Sequence, residues 1–331
     1  MHNLQNTEQG KKAPLISFVI TCHNTETWML TECMESILAL SLRPFEREII
    51  VIDDGSEVSP VEELIHCCDD IIYIRKKNGG ISSARNAALD FVHGKYIQFV
   101  DGDDYLRQAP YEYCLDIARY KENDMVMFDF THNENEEFKM PSVSSPVSGT
   151  EYMHNNNIHG SACCYLFRRS IVGSLRFTHG ISYGEDEEFT PQLLLRAENV
   201  VRADVKAYFY RRHGTSALHK GDTRNRLKRI NDNLNVIYSL RKKSLSLPAH
   251  DSNAMQRRIA QLTMDYIYNI MVLTRSTNYV NKKLDELHRE GLFPLPDKDY
   301  TIKYKWFRRM TNSKAGRAIL MRTLPLLSRE L

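Results

Sequence analysis

Several features that would assign this sequence to a common class are missing. It has no CxxC pair and no paired histidine spacing of the zinc type. Its cysteines, at 22, 33, 67, 68, 114, 163 and 164, are odd in number, with two adjacent pairs among apolar neighbours. That usage argues against a disulfide framework and for reduced cysteines in a cytoplasmic protein. Long apolar runs are also missing: FVIT and EIIVI fall far short of the roughly 20 residues a membrane helix needs. The start, MHNLQNTEQGKK, is polar and lacks the apolar stretch of a signal peptide. Any membrane association is therefore expected to be peripheral. No unit of solenoid or propeller length repeats. Net charge is nearly absent, at +2, and no nucleic-acid partner is expected.

What is present is an ordinary globular composition, 42% apolar and 26% charged over 331 residues, enough for one large domain with an appendage or two unequal domains. The near-neutral total hides a division. Residues 301–331 hold eight basic residues and one acidic, whereas the other 300 hold 36 and 41, so an acidic body precedes a basic tail.

From Leu15 to Phe130 short β-branched runs alternate with amphipathic stretches, the pattern of βα units on a mostly parallel sheet. ISFVIT (16–21) is apolar on both faces, as a buried parallel strand requires. REIIVIDD, IIYIRK and KYIQFVDGDD read as further strands. A helix is expected from about Thr27. SPVEELIHCC reads as another, with Ser59 as N-cap and Pro60 at its first position, and SSARNAALDFVHG as a third, capped by Ser82 or Ser83 and closed by Gly94. Residues 131–149 read as a long polar loop, SACCYLF as a strand and VVRADVKAYFYRR as a strand pair. From about Asp222 the pattern is helical.

The strands of the first half end in polar residues: Thr21 to Asn24, Asp53 to Ser56, Asn78 to Ser83 and Asp101 to Asp104. Ligands in open α/β sheets bind beyond the carboxyl ends of the strands, so these groups are expected to reach one edge. Asp101, Asp103 and Asp104 flank a glycine and suit either a turn or a hard divalent ion whose open positions accept a diphosphate. Asp53-Asp54-Gly55-Ser56 suits either a turn or carboxylates facing a nucleobase edge or ribose hydroxyls. Asn78-Gly79-Gly80 requires close backbone approach or positive φ, and Arg85 follows within the next helix. Glu185 to Glu188 stand at a helix start, where the dipole favours negative charge; the apolar FTPQLLL after them predicts one buried face. RRHGTS is a basic loop with a glycine, able to close over a diphosphate or simply solvated.

VITCHNTE, VIDDGS, NGGISSARNAAL and YIQFVDGDD, in that order, resemble the nucleotide-binding half of family 2 glycosyltransferases, and YGEDEEF and AYFYRRHGTSAL resemble the family's acceptor-side segments. The resemblance covers about residues 14–217. It implies an α/β fold of the GT-A type, with a mostly parallel Rossmann-like central sheet and flanking helices, here followed by a helical C-terminal extension. It implies an inverting glycosyltransferase of bacterial polysaccharide type, moving a sugar from a nucleotide diphosphate sugar, foremost a UDP-sugar, to a hydroxyl of a glycan or lipid-linked glycan. Asp53 and Arg85 would contact the base, Thr21 and His23 would line its pocket, Asp54 would belong to the same nucleotide-sugar site, and Asp101 would lie near the ribose. Asp103 would ligate Mn²⁺ or Mg²⁺ bridging the diphosphate. Asp186 would be the general base, with Glu185 the alternative. His213 and Ser216, like Glu185, would be acceptor or diphosphate contacts. Two rival readings are a sugar nucleotidyltransferase, which would favour a Gly-rich phosphate loop where TCHNTETW stands, and a non-catalytic carbohydrate-assembly protein retaining the fold.

The resulting division is a polar tail over 1–14, a catalytic domain over 15–217, and a helical region over 218–331. Within the catalytic domain the nucleotide half is about 15–130 and the acceptor half about 150–217. The tail 301–331 places Trp306, Phe307, Met310, Ile319, Leu320, Leu324 and Leu327 among basic residues, with Pro325 expected to interrupt any long helix. Such a segment suits either packing on the protein or attachment to an anionic membrane surface, peripherally on the inner face of the cytoplasmic membrane.

Overall fold

A computed structural model describes residues 13–139, 141–212 and 223–327. The chain forms two compact units, one from the described parts of 13–146, 162–179 and 198–211, the other from 147–161, 180–197 and the described residues from 212 onward. The helical unit thus takes in two stretches that lie ahead of residue 217 in the sequence.

The first unit is built on one sheet of β1 (Ile16–Cys22), β2 (Arg47–Asp53), β3 (Ile72–Arg75), β4 (Tyr96–Asp101), β5 (Tyr105–Leu106), β6 (Met125–Thr131), β7 (Tyr165–Arg168) and β8 (Val200–Phe209), in the order β3-β2-β1-β4-β7-β6-β8-β5. The β3-β2-β1-β4 half is parallel throughout. β7 runs antiparallel to both neighbours, β6 and β8 pair in parallel, and β5 closes the edge antiparallel to β8. All seven residues of β1 are buried, which explains why ISFVITC carries no polar alternation. The one long polar side chain in the middle of this sheet, Gln98, is fully buried and satisfied: its amide nitrogen donates to the carbonyl oxygens of Phe99 and Cys163, and it accepts from the Tyr111 hydroxyl at 3.1 Å.

The helices, in chain order, are α1 (Thr27–Leu38), α2 (Val61–Cys67), α3 (Ile81–Leu89), α4 (Gln108–Tyr120), α5 (Gly149–Asn155), α6 (Arg169–Val172), α7 (Glu185–Leu194), α8 (Thr223–Ser244), α9 (Ala249–Thr274), α10 (Thr277–Arg289), α11 (Ile302–Asn312) and α12 (Lys314–Leu327). The first four and α6 belong to the sheet unit and the others to the helical unit. Within the helical unit α9 is the hub: α5, α8, α10, α11 and α12 all pack on it. Gly149 at the start of α5 admits no side chain, since a Cβ there would stand 1.8 Å from the Leu194 carbonyl oxygen.

Several expectations are corrected. Ser59 does not cap α2; the helix begins at Val61 after Pro60, and the Ser59 hydroxyl pairs with that of Tyr73 at 2.8 Å. α3 starts ahead of Ser82 and Ser83, from Gly80 at φ +83°, and ends at Leu89. Gly94 instead lies against β1, where a Cβ would meet the Ser17 amide at 2.5 Å. SACCYLF divides into a 3₁₀ turn and the short β7, and VVRADVKAYF is one strand rather than two. Pro325 sits inside the last turn of α12 without ending it. The seven cysteines are all free, as their spacing led us to expect.

Candidate active site

The parallel half brings its polar strand ends together. Thr21 pairs in register with Asp101 across β1 and β4, and Cys22 pairs with Asp53 across β1 and β2. The Thr21 hydroxyl lies 3.5 Å from the Asp101 carboxylate. His23, just beyond β1, has its imidazole 3.0 Å from the Asn78 side-chain amide. Thr21, His23, Asp53, Asp54, Arg85, Asp101 and Asp103 therefore gather along one edge of the sheet.

Two of these acids shape the edge from beneath. Asp53 has no exposed surface; it accepts from the Ser56 amide and the Tyr73 hydroxyl, both at 2.8 Å, and lies 3.3 Å from the Arg75 guanidinium. Burial alone would raise its carboxyl, but the Ser56 and Tyr73 hydrogen bonds and the Arg75 charge outweigh it and hold the group below the usual carboxylate range. Asp54 accepts from the Gly79 amide at 3.0 Å, the Gly80 amide at 2.7 Å and the Lys76 ammonium at 2.6 Å. It thus holds the glycine turn ahead of α3. Gly55 must be glycine, with φ +78° and only 2.7 Å between a would-be Cβ and the Asn78 amide.

Arg85 is the pivot between α3 and the sheet. Its guanidinium is buried beside the edge-to-face pair of Phe99 and Phe177, 5.6 and 5.4 Å from the ring centres, and reaches Asp101 at 3.0 Å. The pair is asymmetric: the Arg85 side chain is 2% exposed and that of Asp101 31%. Asp103 is half-buried beside it. Asp104 is buried, accepting from the Tyr208 hydroxyl at 2.7 Å and from the Arg211 amide at 2.8 Å. Burial first, then the charges of Asp101 and Asp103, push its carboxyl well above the usual carboxylate range. The same Tyr208 oxygen accepts from the Asp101 amide at 3.1 Å, so one hydroxyl links both ends of the acidic turn. Tyr208 and Lys76 were not singled out by the sequence reading; only the stretches that contain them, AYFYRR and IIYIRK, were. Arg211 is committed locally, with Nε donating to the Asp103 carbonyl oxygen, an ion pair to Glu32 and the Trp28 ring 4.8 Å away.

In the helical unit Gly184 adopts φ +85° and α7 starts directly after it with four acids in its first turn. Two are tied to other helices: Glu187 pairs with Arg258 of α9, and the buried Glu188 with Lys243 of α8 at 2.8 Å. Phe189, Thr190 and Pro191 bury the expected face, and Glu185 and Asp186 are half-buried. His213 and Ser216 lie outside the described residues.

The sequence matches the family described as Glycosyl transferase family 2 over residues 17–176. Through this segment, a little under half of its length, the chain is similar to glycosyl transferase family 2. The family 2 segment runs from Ser17 in β1 through β7 and contains every expected nucleotide-site residue from Thr21 to Asp103; Glu185 and Asp186 fall beyond it. The chain is 29% identical over 220 residues to the uncharacterized glycosyltransferase EpsJ of Bacillus subtilis, a match that covers 61% of this chain and 62% of EpsJ. In structure it resembles S. aureus TarS, with a TM-score of 0.64 and 15% identity over 95% of this chain and 55% of that one. A second likeness is to the mannosyltransferase PcManGT of Pyrobaculum calidifontis in complex with GDP-Man and Mn²⁺, with a TM-score of 0.57 and 11% identity over 96% of this chain and 89% of that one. The expected α/β fold of the GT-A type, with its helical C-terminal region, is the fold found.

Among the described residues no three His, Cys, Asp or Glu side chains are grouped to hold a metal ion by themselves. Divalent ions at diphosphates are commonly held by one or two carboxylates with phosphate oxygens completing the shell. The half-buried Asp103, on a turn crowded with like charge, suits that arrangement.

Proposed function

We propose that this protein is a metal-dependent inverting glycosyltransferase that moves a sugar from a UDP-sugar to a hydroxyl of a glycan or lipid-linked glycan. The reading is carried by the convergence of Thr21, Asp54, Arg85 and Asp101 at the carboxyl edge of four parallel strands within a family 2 segment. A crystal structure of TarS residues 1–349 in complex with UDP-GlcNAc, TM-score 0.55, and the GDP-Man complex of PcManGT support a nucleotide-sugar donor.

In this reading Asp54 and Gly79-Gly80 form the floor under the nucleotide, His23 offers a flat ring to the base, and Arg85, buried rather than open to the base as the resemblance implies, holds Asp101 directed at the ribose. Asp53, which is buried, acts on the base through the turn it holds. Asp103 would hold Mn²⁺ or Mg²⁺, and the ion would supply charge neutralisation for the departing diphosphate. Asp186 takes the proton of the acceptor hydroxyl as its oxygen bonds to the anomeric carbon and the bond from that carbon to the diphosphate oxygen breaks, inverting the configuration. Asp186, with Glu185 as the alternative, is half-buried in the first turn of the helix that follows Gly184, where the family resemblance puts the base. The seven free cysteines suit a reducing cytoplasm.

Calorimetric titration of UDP and GDP with and without Mn²⁺ tests the donor and metal assignments together. UDP should bind more tightly with the ion present, and Asp103→Asn should remove that gain. Binding that ignores both the ion and the substitution would refute the metal role.

A further inference from the structure

The last two described helices carry charge of one sign. No aspartate or glutamate occurs from 301 to 327, and the acidic partners of Lys305 and Arg308, Asp299 and Asp297, lie before that stretch. Arg309, Lys314 and Arg322 form no ion pair among the described residues and are exposed. Each helix buries one face: Tyr304, Phe307 and Thr311 on α11, and Gly316, Leu320 and Pro325 on α12. The opposite faces display Ile302, Trp306 and Arg309 at helical spacing on α11, and Ala315, Ile319, Arg322 and Leu326 on α12. Ile302 is 81% exposed and Trp306 63%. Both helices rest on α9, with the Phe307 ring 6.5 Å from that of Tyr268.

This surface is a fixed platform. Ser313 forms the corner between the helices and accepts from the Gly316 amide at 3.0 Å. Gly316 permits the close turn, because a Cβ would stand 2.2 Å from the Met310 carbonyl oxygen. Asn312 exchanges hydrogen bonds with the Leu295 backbone, and Arg317 donates to the Thr311 carbonyl oxygen at 2.7 Å.

We propose that the exposed face of α11 and α12 docks on an anionic lipid bilayer, with Trp306, Ile302, Ile319 and Leu326 entering the headgroup region and Arg309, Lys314 and Arg322 facing the lipid phosphates. Amphipathic helices rich in Lys and Arg, with Trp and aliphatic residues on the apolar side, lie in that plane, and tryptophan suits its boundary between wet and apolar layers. The docking deepens the proposed function by placing a lipid-linked acceptor beside the enzyme, but it does not depend on catalysis.

The full chain carrying Trp28→Phe leaves Trp306 as its sole tryptophan. With phosphatidylglycerol vesicles its emission should shift to the blue and the protein should sediment with the lipid, both reversed by added salt; phosphatidylcholine vesicles should do neither. Replacing Arg309, Lys314 and Arg322 by Ser should weaken phosphatidylglycerol binding by on the order of 100-fold, from roughly fivefold per basic residue. Circular dichroism checks that the variant keeps its helices. Equal binding to both lipids, sedimentation without a Trp306 shift, or a folded triple variant that binds like its parent would overturn the proposal. So would binding to soluble polyphosphate as tight as that to vesicles.

Discussion

The buried guanidinium of Arg85 meets the partly exposed carboxylate of Asp101 at 3.0 Å. The arginine packs against the edge-to-face pair of Phe99 and Phe177, so its position is fixed by packing as well as by charge. Arg85→Met should therefore cost on the order of 3 kcal/mol of stability, because it breaks a largely buried ion pair. Arg85→Lys should recover the charge but not the guanidinium's contact with both rings, and so only part of the loss. Urea unfolding of the three proteins checks the order.

Asp54 serves two backbone amides and an ammonium. Asp54→Ala leaves those donors without their acceptor, at a cost of about 2 kcal/mol. The effect should be local: exchange of the Gly79 and Gly80 amide hydrogens should accelerate more than that of β1, as read by hydrogen exchange.

Two glycines of the helical unit should differ. In Gly160→Ala the new Cβ would meet the Glu187 carboxylate at 2.1 Å, and that flexible end can swing away at the expense of its pair with Arg258. In Gly149→Ala it would meet the Leu194 carbonyl oxygen, which is backbone and cannot move alone. Thermal unfolding should show a modest loss for the first and a much larger one for the second.

Asp53 contributes a pH dependence opposite in sign to that of the raised Asp104 carboxyl. Its folded carboxyl titrates below its unfolded value, so its contribution is complete above about pH 4 and disappears as pH falls through the folded value. Asp53→Asn should destabilise the protein at neutral pH, and the gap from the parent should narrow below about pH 4. Denaturant titrations at several pH values check this.

The nucleotide half was readable because its signals are local. β1, β2 and β4 are apolar on both faces, and each ends in the polar residues that line the edge. What was not readable depends on partners remote in sequence. Ser82 and Ser83 are good capping residues by type, yet α3 begins before them at Gly80, and Asp54, far upstream, takes up the amides of the preceding turn. Four acids in a row look alike until Arg258 and Lys243 engage Glu187 and Glu188. Asp104 reads as one more turn residue, and only the fold brings Tyr208 to it across the sheet. Asp53 was expected at the base and is instead enclosed by Tyr73, Ser56 and Arg75.

The most direct test of the account is nucleoside diphosphate release from a panel of UDP- and GDP-sugars, with and without chelator, by the parent, Asp103→Asn and Asp186→Asn proteins. The account predicts release from a UDP-sugar that chelation and Asp103→Asn both suppress, and that Asp186→Asn lowers by about 100-fold or more while donor binding persists. Metal-independent release, or an Asp186→Asn protein as active as its parent, would contradict it.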